Sequence, residues 1–281
     1  KATYIGYNSI EFDENFLRST LFQTLEYPYI TSTNGNNRGD VLGLARAANF
    51  YYPNTLKNPI NEKGNAVYKL DQLAPMNGID HGNAHNAIGD VEATIGVAKI
   101  IANKSPNVWK ASHLTLDKNK ALEIIKNEKL ICTNEYFYGK SRPYVQSFVC
   151  EHPEYAWPLT FDLKHDPLQY FDLSLNDLTA VMKKQPKFIR TIRHNKHPIL
   201  MNSSYYEKFD EYKVIGINKL EERAKLIKNN KQFAEKVSEI KSIEVQEKKQ
   251  FKSQEDIYPE ESIYEGFPSA GDNKLMSQFH A

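Results

Sequence analysis

The sequence predicts an α/β protein in which an alternating strand–helix domain is followed by a smaller β-rich domain. Up to Ser105-Pro106, strand-like and helix-like segments alternate along the chain. Between residues 129 and 202, five short strand-like runs follow one another. The stretch 242–261 is charged and poor in core residues, which is typical of a linker. We therefore expect domains at 1–105 and 106–241, a linker at 242–261, and the start of a helical domain at 262–281.

The first domain is predicted from local patterns. Thr3–Tyr7 is β-branched and aromatic, which favours a buried strand. Apolar residues at helical spacing predict a helix within Phe12–Leu25. Asp40 stands where it can cap a second helix that begins V-L-G-L-A-R-A-A. The clearest helical pattern is His85–Asn103, and the polar stretch 52–66, rich in Pro, Gly and Asn, predicts a loop.

The second domain is expected to be a small β-barrel or sheet with added helices. Its strand-like segments are short and rich in β-branched and aromatic residues, and helical spacing appears before, between and after them. We predict strands at 129–133, 144–150, 158–163, 188–193 and 199–202, and helices at 118–127, 175–184 and 219–229.

Composition excludes some classes of protein and leaves others open. The 281 residues are 40% hydrophobic and 25% charged, which is ordinary for a soluble globular protein. No apolar run is long enough to cross a bilayer, so no membrane association is expected. Two cysteines, Cys132 and Cys150, predict reduced thiols and a cytoplasmic location. Because the net charge is only +1, any contact with a polyanion requires locally concentrated positive charge.

Two motifs point to chemistry: G-Y-N-S-I-E-F-D at Gly6–Asp13 and N-G-I-D-H-G-N-A-H-N-A-I-G-D-V-E-A-T-I at Asn77–Ile95. They resemble the second and third motifs of the exonuclease superfamily that uses four acidic residues and one histidine. Within it, the chain is most similar to the exodeoxyribonuclease I family. The resemblance implies a partial ribonuclease H-like exonuclease domain, then an SH3-like barrel that extends a groove for the DNA strand, in a protein that is monomeric.

The resemblance also implies the roles of three residues. Asp13 and Asp90 would be ligands of Mg²⁺, with two ions in a complete site and Mn²⁺ as a possible substitute, because hard cations prefer carboxylate oxygens. His85 would be the general base, a task that suits a group titrating near neutral pH. Simpler interpretations remain open: Asp13 can favour the start of a helix through its charge, and His85 can be an ordinary histidine at a helix start.

One family motif has no counterpart in this sequence. The family carries Asp-x-Glu on an early strand, where both side chains share a face. Here only Asp90-Val91-Glu92 has this pattern, and on a helix residues two apart point about 200° from each other. Since the chain also begins at Lys1, we expect an N-terminally truncated enzyme that is catalytically inactive by itself.

Contacts with single-stranded DNA are expected in both domains. Asn8 and Phe12 lie near Asp13 and are candidates for contact with the terminal nucleotide, although Phe12 can equally be a core residue. Other candidates match the family's contacts with single-stranded DNA or belong to a basic run that contains no acidic residue. The alternative for each of them is an ordinary solvated surface residue. These candidates are Arg18, Tyr29, Arg46, Lys69, Lys118, Lys187, Arg190, Arg193 and Lys196.

The function implied is 3′→5′ degradation of single-stranded DNA to 5′-mononucleotides, with a role in repair and recombination. The resemblance further implies a partner, the acidic C-terminal tail of the single-strand-binding protein. Two alternatives stay open. A related RNA-trimming exonuclease would use the same site but is usually a compact single domain. A non-catalytic single-strand-binding module would explain the missing Asp-x-Glu.

Overall fold

The computed structural model describes residues 1–80, 86–251, 258–264 and 266–281. Its first part contains a pair of parallel strands connected through a helix, as parallel pairing requires. Thr3 lies opposite Asn37 and Gly6 lies opposite Asp40. The elements of this part are β1 (Thr3–Gly6), α1 (Asp13–Gln23), β2 (Asn37–Asp40), α2 (Val41–Tyr51), α3 (Leu70–Met76) and α4 (Ala87–Lys104).

Side chains cap the starts of α2 and α4, and the first of these caps was predicted. The Asp40 carboxylate accepts a hydrogen bond from the Leu42 N–H at 2.9 Å, which confirms its role as the cap of α2. The Asn86 side chain caps α4 in the same way through the Ile88 N–H at 3.1 Å. The predicted helix at His85–Asn103 is therefore confirmed, with its first residue at Ala87.

The prediction that the first strand is buried is wrong. β1 exposes 39% of Tyr4 and 57% of Ile5. Among the described residues, β1 pairs with β2 alone, and the sheet they form has only two strands. A strand with one neighbour and an uncovered face cannot bury its side chains, whatever its composition.

The second part is built on an antiparallel sheet in the order β3-β4-β5-β6, and helices between α5 and α11 pack around it. The sheet includes a bulge between Phe148 and Cys150. Its elements are α5 (Pro106–Thr115), α6 (Lys118–Asn127), β3 (Ile131–Phe137), β4 (Lys140–Glu151), β5 (Pro158–Asp162), α7 (Leu168–Phe171), α8 (Leu175–Lys183), β6 (Ile189–Thr191), α9 (Asp210–Ile215), α10 (Ile217–Asn229), α11 (Lys231–Phe251) and α12 (Ala270–Phe279).

The sheet is open within the described part of the chain, so the predicted closed barrel is not found there. The fifth predicted strand, 199–202, contributes only a bridge between Met201 and Cys132, with two backbone hydrogen bonds of 2.9 Å. Neighbouring residues prevent the pairing of this segment from extending in either direction. Pro198 has no N–H to donate, and the Asn202 side chain accepts from the Ser204 N–H at 3.1 Å to start a 3₁₀ helix at Ser203–Lys208.

The segment predicted as a linker, 242–261, is partly helical. α11 continues to Phe251, and Val245 is buried on it with 7% of its surface exposed. Phe233, Val237 and Ile240 of the same helix belong to the apolar core, and the buried Val245 shows that the helix still packs against the protein beyond Ser242. After the gap at 252–257, Pro259–Tyr264 forms a 3₁₀ helix, and α12 begins with a capping box between Ser269 and Asp272.

One apolar core joins the two parts. Tyr51 of α2 and Val97 of α4 belong to the same cluster as Phe161 of β5 and Phe209. The predicted domain boundary at 105 falls where α4 ends and α5 begins at Pro106, with only Ser105 between them. The helices that carry the cleft described below are thus packed against the antiparallel sheet. None of the described helices is long and apolar enough to cross a lipid bilayer.

Candidate active-site cleft

A cleft of about 1820 Å³ opens between the carboxyl ends of β1 and β2 and the helices α2, α3, α4 and α5. Its walls come from segments far apart in the sequence, which meet because the parallel strands end at the same edge. Ligand sites commonly form at such an edge in α/β proteins. Six of the predicted site residues line it: Asn8, Phe12, Asp13, Arg46, Lys69 and Asp90.

The two predicted metal ligands lie at helix starts. Asp13 is the first residue of α1 and is exposed, whereas Asp90 lies in the first turn of α4 and is half-buried. The positive end of each helix favours a charged carboxylate at these positions. Glu92, two residues after Asp90, is exposed and does not line the cleft. His85, the predicted general base, lies outside the described residues.

The two predicted carboxylates are the type of ligand that a hard cation prefers, but two are too few to complete its coordination. Asp13 and Asp90 offer oxygen ligands of the sort that Mg²⁺ prefers. Among the described residues, however, no three His, Cys, Asp or Glu side chains lie close enough together to hold a metal ion. Two carboxylates would leave most of the coordination to water, so the described part of the chain supplies a partial donor set.

Asp40 shapes the loop that leads to Asp13. Besides capping α2, its carboxylate accepts hydrogen bonds from the N–H groups of Asn8 at 2.8 Å and Ile10 at 3.2 Å. Asn8 has a φ of 61°, in the left-handed region that asparagine tolerates better than most residues. Sequence reasoning assigned Asp40 only as a cap. The signal it missed is that the carboxylate of an N-cap has spare acceptor capacity.

Two predicted DNA contacts place positive charge in the cleft. The Arg46 guanidinium lies over the Tyr136 ring, 4.1 Å from its centroid, and its buried Nε has no hydrogen-bond partner in the described part of the chain. Lys69 is exposed at the start of α3. Nearby, the Tyr7 hydroxyl donates to the Tyr68 carbonyl at 2.6 Å, and burial raises the pKa of Tyr7 above its usual range. These groups make the cleft suitable for an anionic, aromatic ligand.

Arg18 and Tyr29 lie elsewhere and are already engaged. Arg18 is buried, donates to the Glu14 carboxylate at 2.6 Å and lies 5.5 Å from the centre of the Tyr29 ring. Tyr29 also contacts Phe267, with 5.7 Å between ring centres, and its hydroxyl donates to the Ile263 carbonyl at 3.5 Å. Neither residue lines the cleft, and their predicted contacts with DNA would require these partners to be exchanged.

The predicted basic run is not a uniform surface of free cations. Lys187 is exposed, but Arg190 pairs with both Glu135 oxygens and lies 3.6 Å from the centre of the Tyr144 ring. In the same run, Arg193 lies 5.1 Å from the Trp157 ring centre, and Lys196 contacts the Asn8–Asp13 loop. Outside the run, the Lys118 ammonium donates to the Ser32 carbonyl at 3.4 Å.

His197 is a polar cleft residue that the sequence did not predict. His197 lines the cleft and is buried, and burial lowers its pKa so that the neutral ring is favoured. Its partners, Asp40 and Ser112, are 157 and 85 positions away in the chain. Nothing in the local pattern around His197 reports such contacts, so no signal in the sequence could have found it.

Comparisons with known proteins agree with the motifs. No protein-family model matches the chain. It is 38% identical over 163 residues to exodeoxyribonuclease I of Buchnera aphidicola subsp. Schizaphis graminum, which covers 57% of this chain and 32% of the relative. It is 26% identical over 297 residues to exodeoxyribonuclease I of Escherichia coli K12, covering 98% of this chain and 60% of the relative. The chain is related to exodeoxyribonuclease I.

Solved structures of exonuclease I share the fold. The crystal structure of the E. coli enzyme in complex with a dA16 oligonucleotide matches with a TM-score of 0.79 at 24% identity, covering 99% of this chain and 61% of that one. A complex of SSB with exonuclease I matches with a TM-score of 0.75 at 23% identity. The chain thus spans about three fifths of the length of E. coli exodeoxyribonuclease I.

Proposed function

We propose that this chain forms part of a 3′→5′ exodeoxyribonuclease that releases 5′-mononucleotides from single-stranded DNA. The observation that carries the proposal is the cleft itself. It gathers two carboxylates, Asp13 and Asp90, with two cations, Arg46 and Lys69, and an exposed aromatic ring, that of Phe12. This combination suits a DNA end, which presents phosphates and stacking bases together.

In this proposal each group has one task. Asp13 and Asp90 hold Mg²⁺, or Mn²⁺ in its place, which would neutralise charge on the phosphate when bound. Asn8 and Phe12 contact the terminal nucleotide, and Arg46 and Lys69 contact backbone phosphates. His85 takes the proton from the attacking water.

The remaining candidates extend the groove. Lys118, Lys187 and Arg193 are exposed enough to contact phosphates along the strand, whereas Arg18, Tyr29 and Arg190 would first have to exchange their present partners. We further propose a role in DNA repair and recombination and an interaction with the single-strand-binding protein. The solved complex of SSB with exonuclease I supports this partner.

By itself the chain is proposed to be inactive, because its described residues provide only a partial donor set. A chimaera that places the family's Asp-x-Glu strand before Lys1 should release 5′-mononucleotides in the presence of Mg²⁺. In the chimaera, Asp90→Asn should abolish release, because an amide lacks the anionic charge that the cation requires. The matched control is Glu92→Gln, which removes a carboxylate from the same helix outside the cleft and should keep the rate.

His85→Ala in the chimaera should slow release by about 10²–10⁴, the usual effect of losing a positioned base, and leave DNA affinity unchanged. Equal rates for Asp90→Asn and Glu92→Gln would contradict the assignment of the cleft. Faster release from an RNA oligonucleotide than from DNA would favour the RNA-trimming alternative instead.

A second candidate, a non-catalytic single-strand-binding module, is favoured by the partial donor set alone. It predicts that residues 1–281 bind single-stranded DNA in a strongly salt-dependent way, and that the chimaera binds but releases no nucleotide.

A further inference from the structure

The segment Asn195–His197 directs polar groups toward the chain that leads to Asp13. The Asn195 carbonyl accepts two hydrogen bonds from Arg38, from Nε at 3.2 Å and from Nη2 at 2.7 Å. Arg38 also pairs through Nη1 with Glu14, the residue after Asp13. Both side chains of this pair are buried, at 7% exposure each. The start of α1 is thus tied through Arg38 to the carbonyl of Asn195, which lies 157 positions after Arg38 in the chain.

Lys196 makes a second connection. Its ammonium donates to the Ile10 carbonyl at 3.2 Å and lies 3.3 Å from the Glu11 carboxylate. Only 22% of the Lys196 side chain is exposed, while Lys187 in the same basic run is exposed. An ammonium that is partly buried and already has two partners in the loop is less available to a phosphate than the exposed Lys187.

His197 makes a third connection through Asp40. Its Nδ1 accepts a hydrogen bond from the Asp40 N–H at 3.0 Å, and its Nε2 donates to the Ser112 carbonyl at 3.0 Å. A backbone N–H on one nitrogen and a carbonyl on the other define the neutral ring with its proton on Nε2. The Asp40 carboxylate accepts hydrogen bonds from the N–H groups of Asn8 and Ile10, so His197 contacts the loop indirectly, through Asp40.

The ring of His197 packs closely against the backbone it orients. A Cβ added at Gly39 would lie 3.4 Å from His197 Cε1 and 2.6 Å from a methyl group of Leu116. Glycine at position 39 therefore provides the space that the Leu116 side chain occupies, and the imidazole lies beside β2 at ordinary contact distance.

We propose that Lys196 and His197 are positioning residues that hold the Asn8–Asp13 loop, and with it Asp13, in its cleft-lining conformation. This role replaces the DNA contact predicted for Lys196. The importance of this positioning for catalysis rests on the proposed function, because the position of Asp13 affects catalysis only if the cleft binds metal and DNA. Three connections carry the proposal: Lys196 contacts the loop directly, His197 acts through Asp40, and the Asn195 carbonyl acts through Arg38 on Glu14, the residue after Asp13.

Hydrogen–deuterium exchange of the 281-residue chain tests the proposal directly. Lys196→Met and His197→Leu should each raise exchange at the Asn8 and Ile10 amides at least ten-fold. Lys196→Arg, which keeps a cation within reach of Glu11, should restore protection. The matched control, Lys187→Met, removes an exposed lysine from the same run and should leave these amides as protected as in the wild type. Because His197→Leu removes a buried contact, Lys196→Met decides the outcome if His197→Leu does not fold.

Oligonucleotide binding across a salt series separates positioning from phosphate contact. A phosphate-contacting lysine lowers the slope of log K against log salt by about one when it is removed. We expect no change of slope for Lys196→Met. A slope lowered by about one, with loop exchange unchanged, would overturn the proposal. If the wild-type chain does not bind the oligonucleotide at all, the proposed function fails, and the exchange data still decide whether Lys196 and His197 hold the loop.

Discussion

β1 and β5 are both short strands that the sequence predicts, yet the structure places them in opposite environments. Every residue of β5 is buried, between β4 on one side and β6 on the other. β1 has β2 as its one partner in the described part of the chain and exposes 57% of Ile5. The number of neighbouring strands and covering layers, rather than strand composition, decides burial.

The same contrast applies to what holds each region together. The antiparallel sheet is stabilised by apolar side chains such as Phe161, which is fully buried. Around the cleft, α1 buries Glu14 and Arg18 and exposes 64% of Phe16. The loop before α1 is held by the Asp40 carboxylate. The α1 side of the cleft and the loop before it therefore depend on hydrogen bonds and ion pairs, whereas the sheet depends on hydrophobic packing.

The largest effect that tests this contrast is expected in the sheet. Phe161→Ala should lower the free energy of unfolding by about 3–5 kcal/mol, because it leaves a cavity in the core. Phe16→Ala, the matched truncation on exposed α1, should change it by less than about 0.5 kcal/mol. Urea denaturation of the two variants measures both values. Similar losses for the two would mean that α1 packs as tightly as β5.

A smaller effect is expected from the caps. Asp117→Ala removes the cap of α6, which accepts from the Asn119 N–H at 2.8 Å, and should cost about 1 kcal/mol. Asp40→Ala removes a cap and also leaves the Asn8 and Ile10 amides unpaired. It should therefore cost about 1 kcal/mol more. Urea denaturation compares them, and equal losses would show that the Asp40 contacts to the loop contribute nothing to stability.

The smallest effect concerns pH. Burial lowers the pKa of His197 from its usual 6.5, so the folded chain binds this proton less readily than the unfolded chain. The stabilisation is complete above about pH 6.5 and declines as pH falls below that value. Urea midpoints measured from pH 7.5 to 5.5 should fall, and His197→Gln, which cannot titrate, should make the decline shallower. An unchanged decline in His197→Gln would assign the effect to other groups, such as His165 and His194, whose pKa values burial also lowers.

Local signals predicted much of the fold. The helices α2 and α4 were found from a cap and a repeating apolar pattern, and both features act within a few residues. α6 was predicted at its observed bounds, Lys118–Asn127, for the same reason. A closed barrel is not found in the described part of the chain, because closure depends on pairing between distant strands. The pattern at 199–202 could not show that only Met201 would pair.

The candidate site shows the same difference between residues that local motifs predict and residues whose roles depend on distant contacts. Asp13 and Asp90 were predicted from motifs and do line one cleft. Arg18 was predicted as a surface contact, and it is buried because Glu14 and Tyr29 enclose it. His197 was not predicted, since its role depends on Asp40, 157 positions earlier. Sequence patterns identify residue types suited to a task, while partners brought together by folding decide which residues are free to perform it.

The central claim is that the 3′ end of single-stranded DNA enters the cleft lined by the Asn8–Asp13 loop. It can be tested on the 281-residue chain without any catalytic activity, by photocrosslinking an oligonucleotide whose 3′-terminal base is 5-iodouracil and mapping the adduct by mass spectrometry. The account predicts an adduct at Phe12, 57% of which is exposed in the cleft, and no adduct there when the iodouracil is at the 5′ end. An adduct from the 3′ end at Tyr155 or Trp157, outside the cleft, with none at Phe12, would contradict it.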